Sequence, residues 1–470
     1  MVNHNSFPEI FLQCGYLRNM TKFKSTALLT DMYELTMVDS AMKSGTANRR
    51  SVFEVFGRRL PGRRRYGVVA GTGRVLEALA DFKFTDEEVD YVARAGIVSD
   101  DTLEWLAGYE FTGDIYGYGE GEVYFPGSPL MTVTGTFAEA VVLETLILSI
   151  LNYDSAVATA ASRMTIASHD RPCLEMGARR MHERAAVAAA RASIIGGFVG
   201  TSNLEAARSY GVKPIGTAAH SFTLLHDTEE DAFRSQIASM GTDTTLLVDT
   251  YDVEQGVELA VRVAREAGGE LGAVRLDSGD LVAQAFKVRK QLDDMGAHST
   301  KITVTSDLDE YAIAALNAAP VDSYGVGTRL VTGSGIPTAQ LVYKLVARER
   351  ADGTMQEVAK RSDSKGSVGG LKVAGRTHDE TGRATGELVV SAGSWEDGLA
   401  YLDEHKARPL QMQLVSKGKI NEDYVADGEI ARAAERHRNS RAALPYSAWR
   451  LSDGDPALPT TLVDIFDGDN

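Results

Sequence analysis

Hydrophobic and polar positions along this chain follow a rhythm that changes twice. From about Thr26 to Asn152 it is mixed. "TDMYELTMVDSAMKSG" has helical spacing, with Thr30 as the expected N-cap and Gly45 as the stop. "SVFEVF" alternates like a half-buried strand, and "GRVLEALADF" and "TDEEVDYVARAG" read as helices. "GEVYFPGSPLMTVTG" reads as short strands around a turn. From about Tyr153 to Lys344 the rhythm is regular. Short apolar runs recur: "ASIIGGFVGTSN", "KPIGTAAHS", "TTLLVDTYD", "GAVRLDSGD", "KITVTSDLD" and "DSYGVGTRLV". Amphipathic stretches such as "VEQGVELAVRVAREAG" and "LVAQAFKVRKQLDDMG" follow most of them. This alternation predicts a parallel sheet covered by helices, either a barrel or an open doubly wound sheet. The remainder is loop-rich, with a hairpin region and a charged helix in "NEDYVADGEIARAAERHR".

The predicted strands all stop on polar residues or glycine. They end at Thr201-Ser202-Asn203, His220-Ser221, Asp249-Thr250-Tyr251-Asp252, Asp277-Ser278-Gly279-Asp280, Thr305-Ser306-Asp307 and Gly325-Val326-Gly327-Thr328. Helix capping accounts for one such residue per unit. It does not account for a histidine, several carboxylates and two glycines at the same end. In parallel α/β folds that end carries the active site.

Composition narrows the function classes. The chain has 470 residues, 44% of them apolar, which is enough for a large core. A net charge of −16 argues against general nucleic-acid binding. No uninterrupted run of about 18 apolar residues exists, so no membrane span is expected. The two cysteines, Cys14 and Cys173, make no disulfide framework and fit a reducing compartment. Residues 1–24 read as a poorly ordered leader. Arg49, Arg50, Arg58, Arg59, Arg63, Arg64 and Arg65 crowd around Pro61-Gly62. They read either as a solvated basic face or as a binder of phosphate or diphosphate.

The rim residues suggest phosphate chemistry. "YGVGTR" is either a pair of tight turns or a phosphate cradle in which Gly325 and Gly327 let backbone N–H groups approach. Arg275 and Asp277 share a strand face, as a buried ion pair or as two flanks of one ligand. A neutral imidazole is a nucleophile towards phosphorus once a carboxylate on its other nitrogen fixes the tautomer. Asp249 is the expected partner of His220. Zinc would want more His or Cys at this rim, and Schiff-base chemistry would want a lysine. Phosphates with Mg²⁺ on oxygen ligands suit the residue types better. No metal ligand is assigned.

These motifs resemble the nicotinate phosphoribosyltransferases, the type II phosphoribosyltransferase group that includes nicotinamide phosphoribosyltransferase. The pieces are "LLTDMYELTM", "FEVFGRRLP", "YGVVAGTGRVLEAL", "LNYDSAVATAASR", "EMGARR", "GTSN", "GTAAHS", "VDTYD", "RLDSGD", "TSDLDE", "YGVGTRL" and "KRSDSKGSVGG", in order from about Thr26 to Gly370. The bacterial branch looks closest. The resemblance implies an irregular α/β barrel of type II phosphoribosyltransferases with an α+β N-terminal domain completed by C-terminal segments. It divides the chain after the leader into 25–152 (N-terminal domain), 153–345 (barrel and rim) and 346–470 (C-terminal segment, partly packing back). It also implies a cytoplasmic homodimer with active sites at the interface.

The implied reaction joins nicotinate to 5-phosphoribosyl-1-diphosphate in NAD biosynthesis. It needs Mg²⁺, and ATP as co-substrate is hydrolysed through a phosphohistidine at His220. The resemblance further implies that Arg179 and Arg275 flank nicotinate and that Tyr33 stacks on its ring from the other subunit. Asp277 would sit by the ribose and ring nitrogen. Ser306, Asp307, Gly325, Gly327 and Thr328 would hold the ribose phosphate, and Arg58, Lys360, Arg361 and Lys365 would meet phosphates. Ala160 departs from the pattern, where a lysine is expected.

Ser202 bears on the choice of substrate. Nicotinamide-using relatives have Asp at the corresponding place, and an Asp about 4 Å from a carboxylate would repel it by ~4 kcal/mol. A serine donates a hydrogen bond instead, so nicotinate is favoured. The alternatives are quinolinate or nicotinamide phosphoribosyltransferase, or a non-catalytic binder of a phosphosugar or nucleotide. Quinolinate needs a denser cation set and no phosphorylated His. The intact His220, Asp249 and Asp277 argue against the binder.

Overall fold

The computed structural model describes residues 25–169, 171–360 and 368–466. Five parallel strands run in the order Cys173–Glu175, Ser323–Val326, Lys301–Ser306, Ala273–Leu276, Thr245–Leu247. Beyond Glu175 the row continues as single parallel bridges at Thr201 and then Pro214. The curved row makes an irregular barrel, which resolves the choice between barrel and open sheet. Between residues 214–219 and Thr245–Leu247 no backbone ladder forms among the described residues. His220 lies at that seam.

Two of the six expected strands shrink to bridges. Ala192–Ile195 of "ASIIGGFVGTSN" end the helix Glu183–Ile195, because the alanine-rich stretch before them favours helix. A Cβ on the next residue, Gly196, would stand 2.4 Å from the Ala161 Cβ, so glycine permits the close helix contact there. "KPIGTAAHS" pairs only around Pro214, and His220 begins the helix His220–Leu225 rather than ending a strand. Its small side chains cannot cover a sheet face. The short strand Cys173–Glu175 was not foreseen by periodicity.

The covering helices follow their sequence signals. Asp252 caps Val253–Glu266 by accepting from the Gln255 amide at 2.9 Å. Asp280 caps Leu281–Asp294 through the Ala283 amide at 3.1 Å. Asp309 caps Glu310–Leu316 through the amides of Tyr311 and Ala312. Each cap is worth about 1 kcal/mol. Apolar faces such as Val257, Ala260, Val261 and Ala264 pack on the buried strand residues Leu246, Val274, Ile302 and Val304.

The second body is a mainly antiparallel sheet in the order Met355–Glu357, Leu341–Glu349, Arg50–Gly57, Met131–Thr136, Asp114–Tyr118, Gln411–Ser416, Lys419–Ile420. Strands from beyond the barrel therefore complete the N-terminal sheet. Arg50–Gly57 is buried on both faces, not alternately. Glu54 is covered by the strand Leu371–His378, whose Lys372 pairs with it at 2.9 Å. The first helix is Met32–Lys43, with Asp31 rather than Thr30 as N-cap, because the Thr30 hydroxyl donates to Glu34 instead. The charged helix starts at Glu429, since Gly428 before it takes φ +84°.

The helix Glu144–Ala167 joins the two bodies. Its first half (Leu146, Ile147, Ile150, Leu151) belongs to the sheet's core and its second half (Val157, Ala158, Ala161, Met164) to the barrel's core. Together with Phe137–Val141 it is long and apolar enough to cross a membrane, yet 67% of the relevant window is buried inside the protein. It is a core helix. The divisions at 152/153 and 345/346 fall inside continuous elements, this helix and the strand Leu341–Glu349.

A buried polar hub fixes the C-terminal segment to the sheet. Arg376 donates to Glu387 at 2.8 Å and meets Glu122 at 3.5 Å. Tyr118 also donates to Glu387, at 2.7 Å, and Ser440 donates to Glu122. Removing one member leaves charges buried without a partner. Arg376→Ala is expected to cost about 3–5 kcal/mol, read as a lower urea midpoint. An unchanged midpoint would show that the hub does not hold the segment.

Candidate active site

The capping aspartates are used up by their helices, and the other rim residues converge. Asp249 follows the strand Thr245–Leu247. Its Oδ2 accepts from the Asp277 amide at 2.8 Å and the Ser278 hydroxyl at 2.9 Å. Its Oδ1 is buried, with no hydrogen-bond partner among the described residues. Asp277 in turn accepts from the Thr305 hydroxyl on the neighbouring strand. His220 Nε2 lies 3.9 Å from Asp249 Oδ1 and 3.8 Å from Asp277 Oδ2. These are electrostatic neighbours, too far for hydrogen bonds. Nδ1 lies 3.1 Å from the Thr250 hydroxyl. The expected Asp249–imidazole bond is thus not made, because Asp249 Oδ2 is engaged by the adjacent strand end and Thr250 occupies the other ring nitrogen.

Cations sit beside these carboxylates. Arg275 is half-buried on the strand Ala273–Leu276, and its Nε has no hydrogen-bond partner among the described residues. Burial pushes its guanidinium below the ordinary pKa, against the pull of Asp277 and Asp249, and nearby Arg179 pushes the same way. Among the described residues no ion pair within 4.0 Å consumes Arg275, so the buried ion pair with Asp277 weighed from sequence does not form. Arg179 is exposed in the turn Ala178–Arg180, just past the strand Cys173–Glu175.

Glu175 ties that turn to the Ser202 segment. Its buried carboxyl accepts from the Gly177 amide and the Thr201 hydroxyl, and the Ser202 amide donates to its carbonyl at 2.9 Å. Burial raises its pKa. Sequence reasoning missed both Glu175 and Thr250. A carboxylate inside the apolar run "CLEMG" was the available signal for Glu175.

Ser306 and Asp307 are exposed at the end of Lys301–Ser306. Gly327 and Thr328 are half-buried at the start of the turn of helix Thr328–Val331. Gly325 has a different reason to be glycine. It lies inside the strand, where a Cβ would stand 2.4 Å from Thr305 Cγ2 and 2.7 Å from Met176 Sδ.

The remaining candidates lie elsewhere in the chain. Tyr33 is exposed on Met32–Lys43, a helix packed on Phe137–Val141 and Asp100–Ala107. Arg58 follows the strand Arg50–Gly57, its guanidinium 5.6 Å from the Phe56 ring centre. Lys360 is exposed. Arg361 and Lys365 lie outside the described residues, as do Cys14 and the leader. Ala160 is fully buried in the long helix. Of the arginine cluster, Arg64 is buried and donates to the Gly333 carbonyl at 2.6 Å, and Arg50 pairs with Glu349. Arg64 is therefore not a solvated charge, whereas the Arg50 pair lies at the surface. Among the described residues no three His, Cys, Asp or Glu side chains form a metal cage.

A barrel of parallel strands with a histidine, two carboxylates and two arginines at its carboxyl end is an enzyme-like rim for an anionic substrate. Known proteins narrow that class. The model of the nicotinate phosphoribosyltransferase (NAPRTase) N-terminal domain matches residues 28–152, and that of the NAPRTase family matches 172–377. Nicotinate phosphoribosyltransferase pncB1 of Mycobacterium tuberculosis is 52% identical over 444 residues, covering 93% of this chain and 95% of that protein. The Bacillus subtilis nicotinate phosphoribosyltransferase is 40% identical over 353 residues, covering 74% and 72%. The crystal structure of human nicotinic acid phosphoribosyltransferase superposes with a TM-score of 0.77 at 24% identity, covering 92% and 97%, which speaks for the fold. The chain belongs to the nicotinate phosphoribosyltransferase family, and its activity is that glycosyl transfer of NAD biosynthesis.

The helix carrying Tyr33 is anchored by a buried carboxyl. Glu34 accepts from the Thr145 amide at 3.0 Å and from the hydroxyls of Thr145 and Thr30. Burial outweighs these bonds and raises its pKa to about 7. The folded state therefore keeps a proton that the unfolded chain loses near pH 4.5. Stability from this group is full below that pH and falls as pH rises towards 7. Urea midpoints of wild type and Glu34→Gln, compared between pH 4.5 and 7.5, should diverge by about 3 kcal/mol. Parallel curves would contradict this anchoring.

Proposed function

We propose that the rim joins nicotinate to 5-phosphoribosyl-1-diphosphate, giving nicotinate mononucleotide and diphosphate, with ATP hydrolysis coupled through phosphorylation of His220. The observation that carries the reading is the half-exposed His220 ring at the barrel seam, with Nε2 turned towards Asp249 and Asp277. Arg275 is beside the same carboxylates and, among the described residues, is not consumed by an ion pair. A cation with free donors suits the nicotinate carboxylate or a phosphate.

In this reading Arg179 and Arg275 hold the nicotinate carboxylate, with Ser202 donating to it. Asp277 faces the ribose, where positive charge develops as the bond to diphosphate breaks. Ser306, Asp307, Gly325, Gly327 and Thr328 surround the 5-phosphate. Arg58, Lys360, Arg361 and Lys365 add phosphate contacts. Gly325 contributes by letting Thr305 and Met176 pack rather than by its own N–H.

Mg²⁺ fits the donor set. The buried Asp249 Oδ1 has no partner among the described residues, and Asp277 Oδ2 is nearby. One or two carboxylates plus substrate phosphates are the usual Mg²⁺ arrangement. When bound, the ion would offset the repulsion between phosphate oxygens and these carboxylates. Exposed Tyr33 on the N-terminal body supports a homodimer in which it stacks on nicotinate in the partner's site. A cytoplasmic location belongs to the same reading, and the buried Cys173, free among the described residues, is compatible with it.

The central experiment follows mononucleotide and ADP together, with Mg²⁺, phosphoribosyl diphosphate and either nicotinate or nicotinamide, with and without ATP. Faster nicotinate mononucleotide formation with ATP, alongside ADP, is expected. His220→Ala should abolish both ATP turnover and the acid-labile, alkali-stable protein label from γ-labelled ATP. Labelling that persists in this variant would remove His220 from the role.

Ser202→Asp should lower nicotinate kcat/KM by about a thousandfold, the equivalent of ~4 kcal/mol, with a much smaller effect on phosphoribosyl diphosphate binding. An unchanged value for nicotinate would refute this placement of Ser202.

A further inference from the structure

Two strand ends meet the ribose 5-phosphate in the reading above, and one buried carboxylate joins the loops behind them. The strands Lys301–Ser306 and Ser323–Val326 pair in parallel up to Ser306 opposite Val326, where the ladder stops. Asp307 lies beyond it on one side, Gly327 and Thr328 on the other. Glu310 follows Asp307 by three residues and starts the helix Glu310–Leu316. Its Oε2 accepts from the Ser334 hydroxyl at 2.7 Å. Ser334 belongs to the loop after Thr328–Val331, and its amide donates back to the Arg329 carbonyl at 2.6 Å. The Glu310–Ser334 bond therefore carries the link between the two sides past the end of the ladder.

We propose that Glu310 is a positioning residue for the 5-phosphate pocket. Through Ser334 it fixes the distance between Ser306–Asp307 and Gly327–Thr328, and so sets how tightly the phosphate is held. This rests on the phosphoribosyl reading above and adds to it the groups that brace the pocket. Glu310 does not meet the substrate itself, since its side chain is only 4% exposed.

The brace is rigid and charged. Glu310 Oε1 accepts from Arg163 Nε at 2.9 Å, so each carboxylate oxygen has its own donor. Arg163 is fixed in turn, donating to the Leu451 carbonyl at 2.8 Å. Burial alone would raise the Glu310 pKa, but the Ser334 hydroxyl and Arg163 outweigh it and hold the carboxyl below its ordinary value. Ser334 thus donates to an ionised group, which makes the stronger kind of hydrogen bond. The buried Arg64 grips the same loop from the arginine turn, donating to the Gly333 carbonyl at 2.6 Å. Gly333, Ser334 and Gly335 take φ of +61°, +57° and +82° in succession. Serine adopts that backbone region at a cost that glycine does not bear. Its hydroxyl bond to Glu310 is a physical reason for a serine there.

The test uses a ligand with and without the phosphate. Isothermal titration of the wild-type enzyme with nicotinate mononucleotide and with nicotinate riboside gives an affinity ratio that reports the hold on the 5-phosphate. Ser334→Gly removes the hydroxyl and relieves the backbone, so no new strain confuses the result. It should shrink the ratio about 10-fold and raise KM for phosphoribosyl diphosphate by a similar factor, with KM for nicotinate unchanged. In a Glu310→Gln background the same change should lower the ratio less than about threefold, because a neutral amide accepts more weakly and the two residues act through one bond. A 10-fold loss in both backgrounds would show that Ser334 acts without Glu310 and would overturn the proposal. An unchanged ratio in Ser334→Gly would overturn it too, while leaving the phosphate reading standing. Equal wild-type affinity for the two ligands would overturn both.

Discussion

One helix has to satisfy two hydrophobic cores at once. Glu144–Ala167 gives its first half to the antiparallel sheet and its second half to the barrel. Its 24 residues extend about 36 Å, roughly the width of a small domain. Its three charged side chains, Glu144, Asp154 and Arg163, are each paired. Asp154 is buried against Arg74, and Arg163 pairs with Glu310 at the helix that follows the strand Lys301–Ser306. Ser334, in the loop after Thr328–Val331, donates to the same Glu310 at 2.7 Å. The helix thus links the sheet to the barrel, and through Arg163 and Glu310 it also reaches the loop that follows Thr328–Val331.

The rim itself depends on a division of labour among similar residues. Asp252, Asp280 and Asp309 bond to helix amides and have little left to offer a ligand. Asp249 and Asp277 stand three residues before two of these caps and are bound to strand ends instead. Three units thus carry one carboxylate for folding, and two of them carry a second that caps no helix. The same split appears among the arginines. Arg64 and Arg163 are held in the interior, whereas Arg275 stands beside Asp249 and Asp277 with its Nε unpartnered among the described residues.

Much of this was legible in the sequence where the signal was local. Apolar runs followed by amphipathic helices pointed to a parallel sheet covered by helices, the family resemblance pointed to a barrel, and polar strand ends pointed to the rim. Counting one cap per unit left a histidine and several carboxylates over, and in the fold His220, Asp249 and Asp277 cap no helix, although their contacts differ from those expected. The harder elements depended on distant partners. Residues 192–201 and 213–220 look like strands, but the first opens as the last turn of an alanine-rich helix and the second has side chains too small to hold a ladder. Glu54 reads as a solvent-facing position because the strand that covers it comes more than 300 residues later. Thr250 reads as an ordinary turn residue beside an aspartate. Only the folded seam puts its hydroxyl against His220.

The completion of the N-terminal sheet by late strands has a consequence for synthesis. Arg50–Gly57 pairs with Leu341–Glu349, with Ser51 opposite Arg348. Asp114–Tyr118 pairs with Gln411–Ser416. At a translation rate of about 5–20 residues per second, the first strand leaves the ribosome roughly 15–60 s before its neighbour exists. For that interval its long apolar edge is open to any other nascent strand. The N-terminal body is therefore a late-closing unit in the cell, and a chain that stalls after the barrel would still carry this open edge.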